Sequence, residues 1–133
     1  MKVLVALGAT LILITAAALS ATSPVAAQST GRACFWPRSI QGFRSVDNRT
    51  VYVRAAGRDN VFALDLFAPC LGVDWAHSAA LRSRTGGTIC EGRGNSVEIY
   101  VRSAGRSRQR CPVTNVRRLT PEELGALPPR ARP

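Results

Sequence analysis

The sequence predicts an all-β or β-rich domain: a small antiparallel sheet or partly open barrel, disulfide-bonded, with a short C-terminal helix. Three observations carry that expectation. Several short segments alternate apolar and polar side chains and end at glycine-containing turns, the period-two pattern of a half-buried antiparallel strand. Four cysteines stand in a chain of 133 residues, an even number that in a small exported protein reads as two bridges. One clear helix start is present, the capping box Thr120-Pro121-Glu122-Glu123, with proline where the first helical N–H would be unsatisfied anyway.

The elements follow in chain order. Met1 and Lys2 give a positive start, and residues 3–19 are an uncharged, mostly apolar run. Val25, Ala26 and Ala27 supply the small-x-small pattern of a cleavage site, so residues 1–27 read as a secretory signal peptide cut after Ala27, with Ala21 as the alternative. The run is at the short end of the roughly 17–25 residues a spanning helix needs, and small residues rather than a charged flank follow it. The mature chain is therefore not expected to be an integral membrane protein. Residues 28–133 form the expected single domain; removing 27 residues from 133 leaves 106, enough for one hydrophobic core.

Within it, residues 40–46 alternate imperfectly, with Phe43 and Val46 able to pack before a turn at Asp47-Asn48. Residues 50–58, TVYVRAAGR, return as EIYVRSAGR at 98–106. In both copies β-branched residues fall on one face and Tyr and Arg on the other, and a glycine follows at 57 or 105. Cys34 precedes Tyr52 by 18 residues and Cys90 precedes Tyr100 by 10, so the frame around the motif does not repeat. The echo reads as two strand-to-turn elements of one sheet. Residues 61–67, VFALDLF, form a further strand with Phe62, Leu64 and Leu66 as its expected core face and Asp65 turned out or paired with an arginine. Residues 71–78 read as a turn or a single helical turn, 79–84 as a strand closed by Gly86-Gly87, and 88–91 as a short strand running into Gly92 and Gly94. Residues 110–116 form the last strand, which Pro112 would place at an edge. A helix over 120–127 docks through Leu124 and Leu127, and residues 128–133 are expected to fray after Pro128-Pro129.

The cysteines, Cys34, Cys70, Cys90 and Cys111, are 36, 20 and 21 residues apart and His77 is the sole histidine. Zinc sites need closely paired ligands, so no metal is expected. Three disulfide pairings are possible, and spacing does not choose among them.

Lys2 is the only lysine among 18 basic residues, so removing the signal peptide lowers the net charge from +10 to +9, all of it from arginine against 8 acids. Such a balance favours anionic partners and describes solubility and attraction rather than fold. Asp74, His77 and Ser78 lie close in sequence, but adjacent residues rarely meet the geometry of a nucleophile, its base and an orienting group. Phosphate loops and dinucleotide fingerprints are absent. No catalytic residue and no cofactor are expected, and the protein reads as non-enzymatic.

The candidate binding residues are Tyr52, Arg54, Tyr100 and Arg102. If the two echoed strands are neighbours, these side chains share one surface, and Arg106, Arg108, Arg110, Arg117 and Arg118 extend its charge. Arginine interleaved with aromatics suits phosphates, sugars or acidic patches. The expected partners are anionic envelope polymers or lipid head groups, with no dedicated nucleic-acid site. The alternative is a secreted protein-binding effector such as a hydrolase inhibitor.

A signal peptide, Cys34, a YVR strand, FALDLFAPC ending at Cys70, GGTICEGRGNSVEIYV around Cys90, RCPVTNVRRL around Cys111 and a terminal LTPEELGAL occur in that order. This set resembles a family of small exported bacterial proteins classed only as a domain of unknown function. The resemblance spans about residues 34–127. Family members often carry an acidic residue after the glycine in C-x-G-D; here Arg93 follows Gly92. The resemblance implies export, to the periplasm or beyond, and a small β-rich fold. It implies no activity and assigns no functional residue.

Overall fold

Alternation of Val and Ile with polar residues builds most of the molecule. A computed structural model describes residues 31–94, 96–102 and 107–133; the expected signal peptide, its cleavage site, Gly105 and Arg106 lie outside the described residues. The strands are β1 (Cys34–Phe35), β2 (Gly42–Ser45), β3 (Thr50–Arg54), β4 (Val61–Leu66), β5 (Ser78–Ser83), β6 (Ile89–Cys90), β7 (Gly92–Arg93), β8 (Val97–Arg102) and β9 (Gln109–Arg118), followed by the helix α1 (Pro121–Ala126). All pairings are antiparallel. The main sheet runs β2-β3-β4-β9-β8-β5, with β7 also against β9, and β1 pairs with β6 apart from it. The sheet curls into a half-barrel, with β2 and β5 as its two ends.

The inner face carries the main core, which includes Val51, Val53, Phe62, Leu64, Ile99 and Val101, with Phe35 against Phe62 at 4.4 Å between ring centroids. Strand β4 is buried on both faces: Val61 and Ala63 join Leu119 in a second cluster on the outer side, under Tyr52, Leu124 and Leu127. The expected core face of Phe62, Leu64 and Leu66 is therefore only half of that strand's burial. Asp65 stays on the outer side and accepts a hydrogen bond from Asn115.

The disulfides join Cys34 to Cys90 and Cys70 to Cys111. The first staples β1 to β6, where these two cysteines are also register partners. The bridged residues are 56 and 41 positions apart, so each bridge removes about 4 kcal/mol of unfolded-chain entropy on a loop-closure argument. Glu91 adds a second clasp at the same place: its carboxylate accepts from the Ala33 N–H at 3.0 Å and the Arg118 N–H at 2.7 Å.

Two expectations need correction. Pro112 does not lie on an edge strand: β9 is flanked by β4 on one side and by β7 and β8 on the other. Its carbonyl accepts from the Phe67 N–H, just past the last β4 pair at Leu66–Val113. A strand residue's N–H and C=O point the same way, so the missing donor faces a site where the β4 ladder has already ended. The C-terminal tail does not fray. Residues Pro129–Ala131 form a 3-10 turn, Ala131 is fully buried, and the Arg132 guanidinium donates to the carbonyls of Gly125 (2.7 Å) and Leu127 (2.9 Å). Arginine satisfies the last carbonyls of α1, which the proline-rich ending alone leaves open. At the start of α1 the capping box forms as read, with Thr120 and Glu123 bonding reciprocally.

Candidate docking crest and cleft

The four sequence-derived binding residues do not come together. Strands β4 and β9 lie between β3 and β8, so Tyr52 and Arg54 are three strand spacings from Tyr100 and Arg102, about 14 Å along the sheet. Tyr52 is half-buried in the cluster beneath α1. Arg54 is half-buried, and its Nε is enclosed without a hydrogen-bond partner. The Tyr100 hydroxyl donates to Glu98 at 2.8 Å, with the Arg82 guanidinium 5.8 Å from its ring centre. Arg102 is exposed at the end of β8, opposite Ser78.

A different region concentrates exposed apolar surface. After β4, residues 67–77 cross one end of the half-barrel to reach β5. The crossing is tied down by the Cys70–Cys111 bridge, by the Phe67 N–H on the Pro112 carbonyl (2.9 Å) and by the Cys70 N–H on the Asn48 carbonyl (2.8 Å). Successive tight turns follow, with Val73 N–H donating to Cys70 and Ala76 N–H to Val73. These turns send Cys70 and Val73 into the core and leave Phe67, Leu71 and Trp75 outside, 73%, 54% and 79% exposed. Three large apolar side chains are thus exposed on one short, covalently fixed loop, called the crest below. Isolated exposed apolar residues need no explanation, but three large ones on one stapled loop make it a candidate contact surface.

Arginines flank the crest. Arg49 sits in the turn whose carbonyl accepts the Leu66 N–H, Arg102 is opposite Ser78 where the loop enters β5, and Arg108 precedes β9; all three are exposed. Asp74 is the one acid on the loop itself. Several acids elsewhere are occupied internally. Asp47 receives the N–H groups of Arg49 and Thr50, Glu98 holds Tyr100 and Arg110, and Glu123 holds the Thr120 N–H and Arg117. Acids turned to backbone donors leave most arginines facing solvent. Among the described residues, only Arg110 and Arg117 form ion pairs. Exposed chains and few acids were visible in the sequence, but exposure of Phe67, Leu71 and Trp75 was not, because apolar residues in a loop are as often core.

Between the two ends of the sheet lies a cleft of about 300 Å³. Ile40, Phe43, Ala79 and Leu81 form its walls, Pro37 and Arg38 its rim, and the buried Val51 and Val53 its floor. Asp74, His77 and Ser78 are all exposed. Among the described residues no group of His, Cys, Asp and Glu is placed to hold a metal ion, and no helix is long and apolar enough to cross a membrane.

No curated protein and no solved structure matches the chain. A family model described as "Family of unknown function (DUF6491)" matches residues 1–132. That match takes in all four cysteines, both echoed strands and the capped terminal helix, and the chain belongs to this family.

Proposed function

We propose that this is an exported, non-enzymatic protein that docks on an anionic phospholipid surface through Phe67, Leu71 and Trp75, with Arg49, Arg102 and Arg108 engaging the head groups. The carrying observation is the exposure of those three apolar side chains on a loop fixed by the Cys70–Cys111 bridge. Full burial of such a side chain contributes about 1.5–3 kcal/mol, and each arginine near an anionic leaflet about 1 kcal/mol. Neither set alone gives firm attachment, and together they give the two-part anchoring that peripheral proteins use. Rigidity helps, because a stapled loop loses little further entropy on insertion. Two disulfides support an oxidising compartment, consistent with the signal pattern of the leader.

The test is co-sedimentation with vesicles of phosphatidylcholine containing phosphatidylglycerol, across a salt series, for the wild type and for the double variant Phe67→Ser, Trp75→Ser. The reading expects wild-type binding that strengthens with phosphatidylglycerol and weakens with salt, and loss of binding at physiological salt in the variant. Equal binding of both proteins, or no wild-type binding, overturns it and turns attention to a protein partner such as a hydrolase, for which the same crest would be the anchoring patch.

A further inference from the structure

The cleft between β2 and β5 is a separate site. A closed barrel would seal the inner face with another strand pair. Here the main sheet stops at β2 and β5, and Ile40, Phe43, Ala79 and Leu81 pack on the core with one side still open. Arg38 stands at the rim, its guanidinium 4.5 Å from the Trp36 ring centre. Stacking holds the guanidinium in place while leaving its N–H edges available. Arg38 makes no ion pair and no acid lines the cleft, among the described residues.

We infer that this cleft binds a single-chain amphiphile with an anionic head, the alkyl chain lying among Ile40, Phe43, Ala79 and Leu81 and the head on Arg38. Its volume of about 300 Å³ is at the small end of ligand cavities, which run from roughly 300 to 1,000 Å³. One alkyl chain fits such a space; a two-chain lipid or a peptide strand does not. Apolar side chains beside one stacked cation select by head-group charge, since a cationic head would meet Arg38 and a neutral one would forgo the ion pair that an anionic head makes with it. This site is independent of the crest, so either assignment stands if the other fails.

The experiment is calorimetric titration of the oxidised protein with laurate, dodecanol and dodecyltrimethylammonium, below their aggregation concentrations. The expected result is one laurate per chain, with dodecanol weaker and the cationic analogue not bound. Arg38→Gln should weaken laurate by up to about fivefold, the worth of an exposed ion pair, and leave dodecanol unchanged. Ala79→Leu fills the cleft and should abolish binding of both while the melting temperature is kept or raised, which separates loss of the site from loss of the fold. Phe67→Ser with Trp75→Ser should leave laurate binding unchanged. Equal affinity for all three heads, no binding of laurate, or full binding by Ala79→Leu overturns the inference.

Discussion

Tyr52 and Tyr100 occupy the same place in two nearly identical strands and meet different fates. In β3, Tyr52 packs over Val61 and Ala63 of β4, on the same cluster as Leu124 and Leu127. In β8, Tyr100 faces Arg110 of β9 and Ala80 of β5, and its hydroxyl is held by Glu98. The inner faces are alike: Val51, Val53, Ile99 and Val101 are all buried in one core. A strand's own residues thus decide which side points in. What covers its outer side is decided by the neighbours, and those differ because β4 is apolar on both faces and β9 is not. The echo is one solution to making a strand, used in two environments.

That comparison can be broken most decisively on the inner faces. Val53→Asp and Val101→Asp each place an unpaired carboxylate where the valine is 1% exposed. Each should cost several kcal/mol, a large share of a domain stability of about 5–15 kcal/mol. Chemical denaturation should therefore find both unfolded or nearly so; a folded Val101→Asp would show that the two inner faces are not equivalent. On the outer faces the copies should separate. Tyr52→Ala removes packing on the outer cluster and should cost about 2–3 kcal/mol, against about 1 kcal/mol or less for Tyr100→Ala. Equal losses would contradict the different cover assigned to the two tyrosines.

A smaller effect comes from the cap of the cover itself. Thr120→Ala removes the N-cap and should cost about 1 kcal/mol, loosening the helix on the cluster it shares with Tyr52 while leaving Tyr100 undisturbed in residue-resolved hydrogen exchange. The smallest is a response to acid. Backbone hydrogen bonds, from its own N–H for Glu122 and from Thr120 for Glu123, hold both carboxyls below the ordinary range; side-chain bonds to Thr120 and Arg117 respectively add to this. A depressed folded value means that stabilisation is fully present above the unfolded value, about pH 4.3 for Glu, and is lost as pH falls through the folded one. Amide shifts of residues 120–127 should begin to move below about pH 4.3 before those of β8 do. Simultaneous movement of both regions would show that acid acts on the whole fold instead.

Much of this was legible in residues. Alternation located β3, β4, β8 and most of β9, and the Thr120–Glu123 box located α1. Very short strands were not legible: β1 and β7 have two residues each, too few for a period, and they exist because partners and a disulfide hold them. The apolar outer face of β4 was written in Val61 and Ala63, but its meaning depended on a helix sixty residues away. The Tyr/Arg face failed for the same reason: strand order is a non-local property, and two intervening strands separate what the echo suggested as one patch. The crest is the opposite case. Phe67, Leu71 and Trp75 were plain in the sequence, and only the turns that bury Cys70 and Val73 show that they point outward.

Entry of this crest into a membrane surface would be felt first by Trp75, its most exposed side chain. The chain has two tryptophans, so Trp36→Phe leaves Trp75 as the sole indole reporter. Its emission would be followed on titration with phosphatidylglycerol-containing vesicles, with brominated acyl chains as quencher. A blue shift and quenching are expected, weakening with added salt and vanishing with neutral vesicles at physiological salt. An emission maximum that stays at its aqueous position while the protein sediments with the vesicles would contradict it, since attachment would then run through charge alone.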